Sequence, residues 1–229
     1  MKPFPRRFPW LVFLLLCLCT AGLATAQSYK AETLNEAPPG ELAAPIRHAL
    51  SSTGIRVTGP GGTFCDLWPG KAVPGKANAP QSLGVVFPQI AQGTLVGAIR
   101  LPKSVKDYRK QEIKAGVYTL RYALLPENGN HMGVAPQRDF VLASPAAADQ
   151  DPSTLTIDQT LALSRKATGS NHPSVWSLAV PEDHPKSLPS VFHLEDGDLW
   201  LVEFQLLLQG GTGSPLSMAL VVVGSAPEA

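Results

Sequence analysis

Two segments concentrate the side chains that could do chemistry. Glu127-Asn128-Gly129-Asn130-His131-Met132-Gly133 and Thr168-Gly169-Ser170-Asn171-His172-Pro173 each set an Asn-His pair in a run of turn-forming residues. Imidazole is the commonest side-chain ligand of zinc and copper. His131 and His172, with Asp139 or Glu127 as a third ligand, would therefore suit such an ion. A second reading gives the same groups to an organic ligand or a partner protein, contacted by Asn128, Asn130, His131, Asn171, His172 and Asp139. A third is structural: the asparagines hold turns by bonding their own backbone, and the histidines pack nearby. Two histidines from separate segments carry no ligand spacing, so the metal reading rests on their pairing alone.

Other catalytic signatures are missing from the chain. It has no G-x-S-x-G elbow, no H-E-x-x-H, no C-x-x-C, and no glycine-rich phosphate loop. This disfavours an enzyme. A hydrolase acting on extracellular polymer stays an alternative, because glycosidases need only two well-spaced carboxylates. Cys65 lies in strand-like Thr63-Phe64-Cys65-Asp66-Leu67-Trp68 and reads as a small buried hydrophobe. Glu195, Asp196 and Asp198 read as the polar tip of a hairpin, and His184 and His193 as surface residues. Trp200 shares a face with Val202 and Phe204 and is expected in the core. Trp68 and Trp176 fit either core or a stacking platform. Arg121, inside a strand, is expected to solvate one face.

The elements that must position these residues begin after an export signal. Lys2, Arg6 and Arg7 precede an unbroken apolar stretch from Trp10 to Leu18, and Ala24-Thr25-Ala26 gives a small-x-small cleavage pattern before Gln27. Extended to Leu23, that stretch has 14 residues, short of the roughly 20 that span a bilayer. The expected product is exported by the secretory pathway to the periplasm or the extracellular space, with no membrane span. Losing the signal removes three of the 19 basic residues and none of the 18 acidic ones. A near-neutral chain has no electrostatic footprint for nucleic acid or anionic lipid. Cys17 and Cys19 leave as well, so the mature chain has no internal disulfide and must rest on its core.

Residues 27–44 carry few large apolar side chains and read as a tail or linker before a domain over 45–225. A short helix is expected from Pro45, burying Ile46, Ala49 and Leu50. Strands are predicted at Gly54–Thr58 and Thr63–Trp68, flanking a Gly59-Pro60-Gly61-Gly62 turn, and at Thr94–Leu101, Val117–Leu124 and Gln137–Ala143. Tyr118, Leu120, Tyr122 and Leu124 alternate with Val117, Thr119, Arg121 and Ala123, a period of two that marks one buried face. On Thr94–Leu101, Val96 and Ala98 are expected on one face and Leu95 and Ile99 on the other; on Gln137–Ala143, Phe140 and Leu142 are expected to point inward. Thr156-Ile157-Asp158-Gln159 is a capping box opening a helix that Gly169 ends. Val175–Val180, Val191–Glu195 and Asp198–Leu208 follow, the last two joined at Asp196-Gly197, and Leu216–Val223 reads as a central strand. The sum is an all-β chain: a single antiparallel β-sandwich of about eight strands, with one inserted helix and a short N-terminal helix.

Gly116-Val117-Tyr118-Thr119-Leu120-Arg121-Tyr122, Gly129-Asn130-His131-Met132-Gly133-Val134-Ala135-Pro136 with Arg138-Asp139-Phe140, and Leu163-Ser164-Arg165-Lys166-Ala167 leading to Asn171-His172-Pro173 resemble segments of a family of exported bacterial β-rich proteins. The resemblance spans about residues 54 to 223, has no established activity to carry over, and marks the same two loops. The expected function is a non-enzymatic exported module that binds a small ligand or a protein through loops 128–136 and 169–173. The alternatives are a metal-binding protein using His131 and His172, and the hydrolase. No cofactor is expected beyond that metal ion.

Overall fold

Short apolar alternations bounded by Gly and Pro leave the chain few choices but strands joined by turns. The computed structural model of the protein describes residues 28–76, 78–126, 135–183, 185, 187–209 and 215–227. In chain order the elements are β1 (Lys30–Leu34), α1 (Ala44–Ala49), β2 (Gly54–Gly59), β3 (Gly62–Pro69), β4 (Val73–Pro74), β5 (Leu95–Leu101), β6 (Val105–Lys106) and β7 (Glu112–Ile113). They continue with β8 (Gly116–Leu124), β9 (Asp139–Pro145), α2 (Ile157–Thr168), β10 (Ser174–Ala179), β11 (Ser190–Leu194), β12 (Leu199–Leu206), β13 (Leu208–Gln209) and β14 (Leu216–Val223).

The chain is all-β, with ten strands hydrogen-bonded in one antiparallel series, β1-β2-β3-β5-β8-β9-β10-β14-β12-β11. β10 serves two arcs of this series. Its residues Ser174–Ser177 pair with β9, while Leu178 and Ala179 pair with β14. The sheet turns back on itself there, so β3 packs across from β12 and the end strands β1 and β11 approach each other. Tyr29, just before β1, lies 5.0 Å from the Trp200 ring. The result is one large antiparallel sheet, nearly barrel-shaped, with a seam between β1 and β11. Its main core gathers Val57, Leu67, Ile99, Tyr122, Trp176 and Val202 from both arcs.

Helix α2 forms where the local sequence directs it. The Thr156 hydroxyl accepts from the Gln159 N–H at 3.3 Å, and the Gln159 side chain accepts from the Thr156 N–H at 2.9 Å. Gly169 ends the helix with φ 65°. Ile157 and Leu161 pack on Phe140, Leu142, Ala123 and Val175, so the sheet is covered on its outer face there too. That cover corrects one expectation. On β9, Val141 and Ala143 face the main core, whereas Phe140 and Leu142 lie under α2. Both alternating sets are apolar, so parity alone could not orient the strand.

Two further corrections concern local geometry. A register shift between Leu95 and Gly97 breaks the alternation of β5. Val96 and Ile99 therefore share the main core, while Leu95 and Ala98 share a second cluster. In the 27–44 stretch, Lys30–Leu34 pairs with β2 as β1, and Leu34 and Leu42 pack with Ile46, Leu50 and Trp68. A mostly exposed strand is held by backbone bonds, which leave no apolar signature. Trp68 and Trp176 are both fully buried. Trp68 donates from Nε1 to the Glu36 carbonyl at 2.9 Å. Among the described residues no helix is long and apolar enough to cross a membrane.

Candidate functional site

Of the residues expected to form a site, Asn128, Asn130 and His131, with Glu127, lie outside the described residues. Asp139 opens β9 facing inward. Its carboxylate accepts from the N–H groups of Val86 and Phe87 at 2.8 and 2.9 Å and from the Tyr122 hydroxyl at 2.6 Å. Burial, with the Asp139 carboxylate beside it, pushes the Tyr122 phenol well above its ordinary pKa. These bonds tie the segment around 86–87 to the sheet, and all are made within the protein.

Asn171 and His172 are exposed on the loop between α2 and β10. The loop holds itself in shape. The Thr168 hydroxyl donates to the His172 carbonyl at 2.7 Å, the His172 N–H donates to the Ser170 hydroxyl at 3.1 Å, and the Arg165 Nε–H donates to the Asn171 carbonyl at 2.9 Å. It also rests on the 107–111 turn, where Gln111 donates to the Pro173 carbonyl at 2.8 Å and Arg109 Nη1 lies 3.5 Å from His172 Nδ1. Asp107 fixes that turn by accepting from the N–H groups of Arg109, Gln111 and Val175.

The strand ends that flank the two Asn-His segments lie toward opposite ends of β9. Leu124 pairs with Asp139 where one begins, and Ser174 pairs with Ala143 where the other ends. Asp139 and Ala143 are about 13 Å apart along the strand at the usual rise per residue. Among the described residues no group of three or more His, Cys, Asp or Glu side chains could hold a metal ion. Cys65 sits in the main core, and burial raises its thiol pKa.

Arg121 corrects the expectation of a solvated strand face. It is fully buried, and its five N–H donors all find acceptors. Nε and Nη2 grip the Asp149 carboxylate at 2.7 and 2.8 Å, Nη1 reaches the carbonyls of Gly93 and Ser153 at 2.8 Å each, and Nη2 also meets the Asp151 carbonyl. A similar knot lies on the outer face of β2, β3 and β5, where Asp66 receives Arg56 and Arg100 at 2.7 and 2.6 Å. Burial pushes the Asp66 pKa up, but the two guanidinium groups outweigh it and the net shift is downward. The carboxylates of Asp66, Asp107, Asp139 and Asp149 thus all bind the chain to itself.

One concavity that the sequence did not announce lies at the open end of the seam. Thr33 of β1 and Leu188 and Pro189, which precede β11, line a cleft of about 470 Å³. Ser51, Ser52 and Thr53, between α1 and β2, line it with Lys71 and Gln205, over Ile55 and Phe204. An antiparallel bridge between Leu50 and Gly70 fixes this rim. On either side of it the Ser51 N–H donates to the Pro69 carbonyl and the Lys71 N–H to the Ala49 carbonyl, both at 2.8 Å. Gly54 and Gly70 are required by close approach. A Cβ on Gly54 would lie 2.9 Å from Trp68 Nε1, and one on Gly70 2.7 Å from a Val73 methyl. The available sequence signal was the hydroxyl run Ser51-Ser52-Thr53 ahead of a strand-initial glycine. It carries no titratable group, so a search for chemistry passes over it.

Fold and site together define an antiparallel β-barrel-like protein with a seam cleft. Compared with family models, with curated proteins and with solved structures, the chain matches none.

Proposed function

We propose that the protein is an exported, non-enzymatic binding module that takes a small ligand in the cleft between β1 and β11. One observation carries this reading: a cleft of about 470 Å³ whose rim is cross-linked by backbone bonds and whose floor is apolar. Small-molecule sites are commonly preformed hollows of about 300–1,000 Å³ with a few placed polar groups, and barrel mouths are a favoured location. Export rests on the N-terminal basic, apolar and small-x-small segments.

The test has two arms. Expressed from its full gene in a bacterial host, the chain should be recovered from the periplasm or medium with Gln27 as its first residue. A fragment screen by amide chemical shifts on that product should give hits that move Ser52–Ile55 and Gln205–Leu207 together. Fragments that shift only other regions would remove the cleft as the binding site, and retention in the cytoplasm with Met1 intact would remove export.

A further inference from the structure

Charge around the cleft is one-sided. Lys71 is the one formally charged side chain among the described residues that line it. Its neighbours on the rim are neutral donors and acceptors: the hydroxyls of Ser51, Ser52 and Thr53 and the Gln205 amide. Around the bridge between Leu50 and Gly70, Ser51 lies opposite Pro69 and Lys71 opposite Ala49, so Ser51 and Lys71 share one side of the rim, and both line the cleft. Ile55 and Phe204 beneath them are buried and apolar. A lysine with hydroxyls around it and no carboxylate opposite favours an anionic head group. The apolar floor favours a hydrocarbon body behind that head.

We infer that the cleft selects a small organic carboxylate with an apolar body, the head group against Lys71 and the body across Ile55, Phe204 and Leu188. This rests on the reading of the cleft as the ligand site and adds its specificity. Lys71 acts here as an anchoring residue. It is exposed, so replacing it leaves the core untouched.

Hexanoate, hexanamide and hexylamine share a body and differ in head-group charge. Titrated into the isotope-labelled mature protein, hexanoate should shift the amides of Ser52–Ile55 and Phe204–Leu207 and bind about fivefold more tightly than hexanamide, the effect of one partly exposed ion pair. Hexylamine should bind least. Lys71→Gln should remove the difference between hexanoate and hexanamide while leaving the rest of the spectrum in place. Equal binding of acid and amide, or a preference for the acid that survives in Lys71→Gln, overturns the anion selectivity and leaves the cleft standing as a site. Silence of those amides toward all three probes overturns both.

Discussion

Arg121 uses every guanidinium donor inside the protein, and this makes it a sensitive point. Arg121→Met leaves Asp149 buried with the Thr119 hydroxyl as its remaining side-chain donor among the described residues, and breaking a buried pair from one side typically costs about 3–5 kcal/mol. Urea unfolding should show that loss, and Arg121→Met with Asp149→Leu should recover part of it, because no uncompensated charge remains. Glu203 poses the opposite case. It is fully buried on β12, its Oε2 accepts from the Glu182 N–H at 3.2 Å, and its Oε1 has no partner among the described residues; nor has the hydroxyl of Ser190, its cross-strand neighbour. Burial raises its pKa; the Glu182 N–H and the Ser217 hydroxyl oppose this, the nearby Glu182 charge adds to it, and the net shift is upward. A carboxyl with a raised folded-state pKa favours folding while protonated and costs stability as pH rises past its unfolded value. Glu203→Gln should therefore stabilise the protein at pH 7 by about 1 kcal/mol, its amide donating to Ser190. The gain should shrink toward pH 4 in melts run across that range. None of these pairings is legible in the sequence. Arg121 and Asp149 are 28 residues apart, and an arginine in a polar-looking strand face reads as solvated until the 146–156 connection is seen to cover it.

Local signals made α2 legible to its caps. Thr156→Ala should cost about 1 kcal/mol through the lost cap. Gly169→Ala meets no atom within 4 Å, yet φ there is 65°. Its cost, about 1 kcal/mol, should come from backbone strain alone. Thermal melts of both variants check this, and an unchanged midpoint for Gly169→Ala would contradict the left-handed cap. The β11–β12 hairpin was equally legible, since Gly197 takes φ 85° between Glu195 and Asp198. What sequence could not supply was the facing of strands covered on both sides. Phe140 and Val141 are both apolar, so β9 could be turned either way, and the bulge at the start of β5 depends on its partner β8. β1 escaped notice for a different reason: Lys30, Glu32 and Thr33 are exposed, and its stability lies in pairing with β2.

Across the whole molecule, the 28–43 stretch works as a strap. Leu34 and Leu42 cover Trp68, and Glu36 bonds both its indole, through the carbonyl, and Arg100, at 2.9 Å. Deleting residues 28–43 should cost about 3–6 kcal/mol, from two leucines at about 1.5–3 kcal/mol each, and red-shift the tryptophan emission. The all-β class was readable from turn spacing; the count was not, since the expected eight or so strands became ten in one series, and neither was the seam, because closure is decided by contacts between the two ends of the sheet. That arrangement gives the molecule a mechanical polarity. Among the described residues the first strand, β1, is an outer member of the series paired with β2, whereas the last, β14, is locked between β10 and β12. An unfolding motor or protease pulling from the amino end can peel the sheet one strand at a time. The same pull on the carboxyl end must shear two ladders at once, so resistance to degradation should depend on which terminus is grasped.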